Sequence, residues 1–392
     1  MSPAPAPTTC HPLRFAFVSA NKGGGGSEEL WVQSAAVLRK LGHTARAFTG
    51  WPASSKMRLE QLRLAGITHV PLAVSSGWTR RILTRLAPGR FSHTGRLHRG
   101  LLAWRPDFVF FSSGTSLDGL DLLEVIYSSG LPHGVVTHLV SPDHWPDDST
   151  AAQMIRLLSK ARQFWAVSHH NLELLQTQLA FEIPGAKIAR NPFLVRGAPL
   201  PWNAGADEDK PVRFAVPARL HPRTKGHDIL VRVMAMPKWR NRAWTVSIYG
   251  TGGSEKRLQE LVKLHGLQDC ILFRGQTADI QALWASHDAL LVPSRHEGLP
   301  LTVVEAMWLG RPVIAQPAGG IAEVVEDGRS GYMAQGIGES FFDEVLERAW
   351  QDRKNWPAVA TAAATRIRQL VPESPETDFA EELICLAQSS GA

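Results

Sequence analysis

Long apolar runs are missing from this chain of 392 residues. No stretch approaches the roughly 18 consecutive apolar residues that a membrane-spanning helix needs. Met1 to Pro12 has prolines and alanines but no basic segment leading into an apolar one, so signal-directed secretion is not expected. Cysteine is scarce. Cys10, Cys270 and Cys385 are far apart, odd in number and without CxxC pairing, which excludes a disulfide framework and a cysteine zinc site. These absences read as a reducing, cytoplasmic protein. GxGxxG, GxxxxGK followed by Ser or Thr, and HExxH are absent too, which disfavours dehydrogenase, Walker-type and zinc-hydrolase readings. Fifteen histidines do not restore a metal site, because neither His169-His170 nor His133 with His138 has a matched carboxylate pattern.

With 44% hydrophobic and 20% charged residues, the composition is that of a globular protein of about two domains. Charge divides unevenly. Residues 1–205 hold 21 Lys and Arg against 12 Asp and Glu, a net +9, and residues 206–392 hold 21 against 24, a net −3. Within the basic half, Trp78 to Gly100 carries Arg80, Arg81, Arg85, Arg90, Arg96 and Arg99 with no acidic residue, interleaved with apolar side chains. Such a stretch suits an anionic membrane surface or a phosphate-rich ligand, or is a solvated surface helix. Nucleic acid is disfavoured, because the patch is local and no base-reading motif accompanies it.

Apolar runs alternate with helical patterns along the whole chain. Strands are predicted at Leu13–Ala20, Thr44–Phe48, Thr68–Pro71, Phe108–Phe111, Gly134–Thr137 and Gln163–Val167, with a helix from Glu28 to about Leu41 capped by Ser27. Gly197 to Asp209, rich in Pro and Gly and ending in an acidic run, separates residues 1–200 from a second unit spanning 201–372. There the alternation restarts, with strands at Val212–Ala218, Trp244–Tyr249, Cys270–Phe273, Ala289–Pro293 and Pro312–Ala315 between helices. Phe341–Gln351 and Asp378–Gln388 are predicted helical. The pattern predicts an α/β protein with two doubly wound parallel sheets.

Three segments fall at strand ends, where open α/β sheets bind ligands. His296-Glu297-Gly298-Leu299-Pro300 follows a buried strand and opens a helix in which Glu305 sits within an apolar run. A buried carboxylate needs partners, such as ribose hydroxyls, an arginine or backbone amides. Arg219 to Gly226 places Arg219, Arg223 and Lys225 after another strand, as a phosphate clamp or a solvated basic turn. Gly23 to Gly26, four glycines after the first strand, allow close backbone approach to a ligand or form a flexible turn. His138 closes the strand Gly134–Thr137 as a substrate contact or a strand-end residue.

Taken together, these segments resemble the retaining glycosyltransferases of the GT-B fold, group 1 (family 4). The resemblance rests on Glu297 and Glu305 as an E-x7-E pair, on Arg219 and Lys225, on Ile248-Tyr249-Gly250-Thr251-Gly252, and on Pro317-Ala318-Gly319-Gly320 with Glu323. It runs from about Val212 to Ala334 and is looser in the first half, where four glycines replace the family's usual pair. It implies a nucleotide-diphosphate sugar held between two Rossmann-like domains. Arg219 and Lys225 would neutralise the leaving diphosphate in place of a metal, so neither a metal nor another cofactor is expected. Gly298, Leu301 and Thr302 would add helix N-terminal donors, and Glu297 would hold the sugar and Glu305 the ribose. His138 would lie near the reacting carbon, and Gly24, Gly25 and Gly250 would approach the donor. Residues 373–392 would form a helix crossing back to the first domain. The acceptor implied is a glycan or lipid-linked molecule of polysaccharide or lipopolysaccharide type, with residues 78–100 docking the enzyme peripherally on the membrane. The rivals are a nucleotide-sugar epimerase, a sugar-phosphate synthase, and a non-catalytic sugar-nucleotide binding protein.

Overall fold

The computed structural model describes residues 11–21, 25–52, 55–72, 92–202 and 210–389. Gly23, Gly24 and positions 78–91, which include Arg80, Arg81, Arg85 and Arg90, lie outside the described residues.

Two parallel sheets carry the fold. The first runs β1 (Arg14–Ser19), β2 (Thr44–Thr49), β3 (Thr68–Pro71), β4 (Phe108–Ser113), β5 (His133–Thr137), β6 (Gln163–Ala166) and β7 (Lys187–Ile188). Its spatial order is β3-β2-β1-β4-β5-β6-β7. The second holds β8 (Val212–Pro217), β9 (Trp244–Tyr249), β10 (Ile271–Gly275), β11 (Ala289–Val292), β12 (Val313–Ala315) and β13 (Tyr332–Met333). Its order is β10-β9-β8-β11-β12-β13. In both sheets the order reverses beside the first strand in sequence, which opens a crevice at the carboxyl ends of β1/β4 and of β8/β11. Helices cover both faces, so β4, β5, β6 and β11 are buried at every position and read as continuous apolar runs.

Three local expectations are revised. Ser27 does not cap the first helix. It lies inside a 3-10 turn, Gly26–Glu28, and its hydroxyl accepts a 2.7 Å hydrogen bond from Asn21, while the helix proper begins at Glu29 without a side-chain cap. The passage between the two units comes earlier than residue 201. Phe193 and Val195 already pack with Val304, Trp308 and Leu309, and the Leu200 N–H donates to the Leu309 carbonyl. A fifteen-residue helix, Trp356–Leu370, was not anticipated. Its buried face of Val359, Ala360, Ala363, Ala364 and Ile367 packs against the helix Leu301–Trp308.

The last helix, Pro375–Gln388, returns to the first domain. Phe379, Ala380, Leu383 and Ala387 enter the core of Phe17, Leu30, Trp31 and Phe110. Phe379 stands edge-on to Trp165 at 5.0 Å and to Phe110 at 5.4 Å, and Glu382 accepts from Trp165 Nε1 and pairs with Lys187. Burial of this face ties the end of the second unit to the first sheet.

Candidate active site

The half of the candidate site in the second domain grows from the carboxyl ends of β8 and β11. After β8 the chain makes a helical turn, Pro222–Lys225, and after β11 it runs through Ser294 to Pro300 into the helix Leu301–Trp308. The two loops are stapled together. Arg295 grips Asp228 through two hydrogen bonds of 2.8 and 2.7 Å and donates to the Pro222 carbonyl, while its own N–H and that of His296 both reach the Thr224 carbonyl. Bidentate pairing of this kind fixes geometry as well as energy. The staple leaves Lys225 Nζ 2.7 Å from both oxygens of Glu297. Glu297 is buried and Lys225 half-buried, so each charge compensates the other.

A pocket of about 270 Å³, solvent included, lies here, lined by Val216, Ala218, Lys225, Ser294, Glu297 and Thr302 among others. Leu301 and Thr302 open a helix whose first turn has no side-chain cap, which leaves the positive end of its dipole at the pocket. Arg219 follows Ala218 directly and is exposed; its carbonyl accepts from the His221 N–H, and its guanidinium has no hydrogen bond or ion pair to other described residues. It is therefore a cation beside the pocket without a competing carboxylate. Gly250 has φ +137°, and a Cβ there would lie 2.2 Å from the Ala218 carbonyl oxygen. Backbone packing behind the loop already accounts for this glycine.

Glu305 is buried one turn further along the same helix, on the face it shares with Leu301 and Thr302, and one carboxylate oxygen accepts a 3.2 Å hydrogen bond from the Leu194 N–H. Burial, with the Glu29 carboxylate of the first domain adding to it, pushes its pKa up to about 7, although the Leu194 bond works the other way.

The first domain closes over this half mainly with backbone. A Cβ at Gly298 would lie 2.2 Å from the His138 carbonyl oxygen and 2.7 Å from a Val167 methyl, so only glycine permits this approach. A Cβ at Gly26 would lie 3.0 Å from Leu301. Gly25 adjoins that contact, and its carbonyl accepts from Arg58, which also pairs with Glu29 at 2.5 Å. The His138 side chain is buried, with Nε2 3.3 Å from the Ser112 hydroxyl and Nδ1 without a partner among the described residues. Burial pushes its pKa down to about 3, so the ring is neutral at physiological pH. The structure thus brings together Gly25, His138, Lys225, Glu297, Gly298, Leu301 and Thr302. Arg219 stands at the rim, Glu305 lies one turn deeper along the helix that Leu301 and Thr302 open, and Gly24 is outside the described residues.

Several site-building residues escape a sequence reading. Glu28 is fully buried and accepts hydrogen bonds from Ser19 Oγ, Asn21 Nδ2 and Trp31 Nε1, which fixes the end of β1 and the start of the glycine loop. Burial raises its pKa against those bonds. Asp143 reaches across to His296 at 3.0 Å. Glu323, which the sequence did single out, accepts across the domains from Arg190 at 3.1 Å and from the His170 N–H at 3.0 Å. Only polar residues at the ends of predicted strands and helices hinted at these links. Among the described residues no three His, Cys, Asp or Glu side chains cluster as metal ligands, and no helix is long and apolar enough to cross a membrane.

Residues 211–349 match the family model described as glycosyl transferases group 1. The chain is 32% identical over 157 residues to a D-inositol 3-phosphate glycosyltransferase of Streptomyces scabiei, which is 37% of this chain and 35% of the relative. It is 35% identical over 112 residues to the lipopolysaccharide core biosynthesis mannosyltransferase LpcC of Rhizobium leguminosarum, which is 27% of this chain and 32% of LpcC. The aligned region spans about one third of the length of such curated relatives. Over 95% of this chain and 99% of the other, the fold matches Anabaena Alr3699/HepE in its complex with UDP-glucose, with a TM-score of 0.75 at 20% identity.

Proposed function

We propose that this chain is a GT-B glycosyltransferase of group 1, the family whose model its residues 211–349 match, and that it transfers a sugar from a nucleotide-diphosphate donor to a glycan or lipid-linked acceptor, with retention at the anomeric carbon. The observation that carries this reading is the Lys225–Glu297 pair at the carboxyl edge of the second sheet, beside an uncapped helix start and facing His138 of the first domain. A free Lys225 would attract any anion. Held by Glu297, it waits for a ligand that offers both a diphosphate to the cation and hydroxyls to the carboxylate.

Donor binding then exchanges partners. The diphosphate takes Lys225 and recruits the exposed Arg219, which supplies positive charge where negative charge grows as the sugar–phosphate bond breaks. Amides of Gly298 and Leu301 and the Thr302 hydroxyl extend that stabilisation at the helix N-terminus. Glu297, released from Lys225, accepts from sugar hydroxyls, and Glu305 accepts from the ribose. The anomeric carbon loses its bond to the diphosphate oxygen and gains one to the acceptor oxygen on the same face. The acceptor proton passes to the departing phosphate oxygen. Neutral His138 holds a hydrogen bond near that carbon rather than a charge. In this scheme cations of the chain do the work of a metal. The name of LpcC points to a lipopolysaccharide-type acceptor, the one taken here over the inositol phosphate of the Streptomyces relative's name, and residues 78–100 would dock the enzyme on the membrane that carries it.

The test is release of UDP, GDP or ADP from a panel of nucleotide sugars by the purified chain, without added metal. Slow release from one donor, abolished by Glu297→Ala, is expected. No release and no thermal shift with any donor would leave a binding protein of the same fold as the better reading.

A further inference from the structure

Thirteen tryptophans are spread along the chain, and Trp78 lies outside the described residues. Of the other twelve, eleven are buried or half-buried, and Trp145 alone is exposed, at 60%. Leaving an indole in water forfeits a large burial term, so its position matters. It stands in the segment between β5 and the helix Asp148–Leu158. That segment is held rigid by Pro142 and Pro146, by N–H bonds of Asp143 and His144 to the Ser141 hydroxyl and carbonyl, by Gln178 on the same carbonyl, and by Asp147 capping the next helix. Two residues before Trp145, Asp143 bridges the cleft to His296, the neighbour of Glu297. Two residues of chain span at most roughly 7 Å, so Trp145 lies beside the Asp143–His296 bridge at the edge of the site.

We propose that Trp145 is the stacking platform for a neutral pyranose ring of the acceptor. This rests on the transferase reading above and deepens it. The ring's C–H face would lie on the indole while its hydroxyls meet Asp143 and His144. The segment carries Asp143, Asp147 and Asp148 and no Lys or Arg; Arg223 lies 4.0 Å from Asp143, which leaves Asp147 and Asp148 to disfavour a phosphate-bearing surface and favour a hydroxyl-rich, uncharged ligand. A rigid aromatic also orders little on binding.

The full chain is labelled with 5-fluorotryptophan, the Trp145 resonance is assigned with Trp145→Phe, and methyl α-mannoside, methyl β-glucoside and methyl β-galactoside are titrated in. Movement of the Trp145 resonance by at least one glycoside is expected, and no movement with any of the three overturns the proposal. With that glycoside as acceptor, Trp145→Ala should raise its KM about tenfold, with Trp145→Phe recovering most of the loss. A donor KM that rises as much as the glycoside KM would mark Trp145 as structural and also overturn it. If the wild-type chain releases no nucleotide from any donor, the transferase reading falls, and the fluorine shift still decides whether Trp145 binds sugar.

Discussion

Glu305→Gln separates what the buried carboxylate does for the fold from what it does for the donor. In the folded chain its pKa stands at about 7 against 4.5 for an ordinary glutamate, with burial the main cause. Below about pH 4.5 both states hold the proton and the group is neutral in its effect. As pH rises toward 7 the unfolded chain ionises first, so stability falls, and above about 7 the loss is complete at roughly 3 kcal/mol. Glutamine keeps an acceptor for the Leu194 N–H and carries no charge to bury. Urea unfolding at pH 5, 6, 7 and 8 should therefore show wild type losing about 2–3 kcal/mol relative to Glu305→Gln across that range. Glu28, whose pKa is also raised by burial, is common to both proteins and cancels. Activity should move the opposite way. Loss of a charge-assisted bond to ribose costs about 1.5–3 kcal/mol, or roughly 10–100-fold in donor kcat/KM. Parallel stability profiles for the two proteins would refute the burial account, and unchanged donor kinetics would refute the ribose assignment.

Gly298→Ala should place a methyl against the His138 carbonyl and wedge the domains apart, lowering nucleotide release about 100-fold with little change in melting temperature. Full activity would show that this contact is dispensable. Phe379→Ala should cost about 3–5 kcal/mol in urea unfolding, because it empties the space between Trp165 and Phe110 where the last helix locks onto the first sheet. Replacing Arg80, Arg81 and Arg85 together by alanine should weaken binding to phosphatidylserine liposomes by roughly 100-fold, at about 1 kcal/mol per arginine. Unchanged binding would remove the membrane-docking proposal.

The strands were legible because a parallel sheet covered on both faces demands continuous apolar runs, and Ala289–Val292 or Phe108–Ser113 can hardly be read otherwise. The helix Trp356–Leu370 was overlooked for the converse reason. Its buried face is built largely from alanine, whose burial adds little to a hydrophobic pattern although it suits close packing against the helix that carries Glu305. The spacing of Val359, Ala363 and Ile367, with Ala360 and Ala364 beside them, held the signal, but only for a reader counting small residues as core. Ser27 misled because serine before an apolar helix usually caps it. Here the buried carboxylate of Glu28 takes over the local hydrogen bonding and draws the turn inward.

The site divides along the same line. In the second domain the proposed donor chemistry needs particular side chains at fixed spacing, so Arg219, Lys225, Glu297 and Glu305 stand out in the sequence. What the sequence could not give was the pairing of Lys225 with Glu297, since the two lie 72 residues apart and meet only because Arg295 staples one loop to the other. On the facing side, the tightest approaches are made by the His138 carbonyl, the Gly26 backbone and a Val167 methyl, with side-chain links such as Asp143–His296 and Arg190–Glu323 beside them, and backbone has no residue code. A surface that works through shape and main-chain atoms leaves glycine as its only trace, and glycine has many other uses. The weaker signature of the first domain therefore follows from how it contributes: much of its approach to the second domain is made by backbone, at Gly26 and the His138 carbonyl.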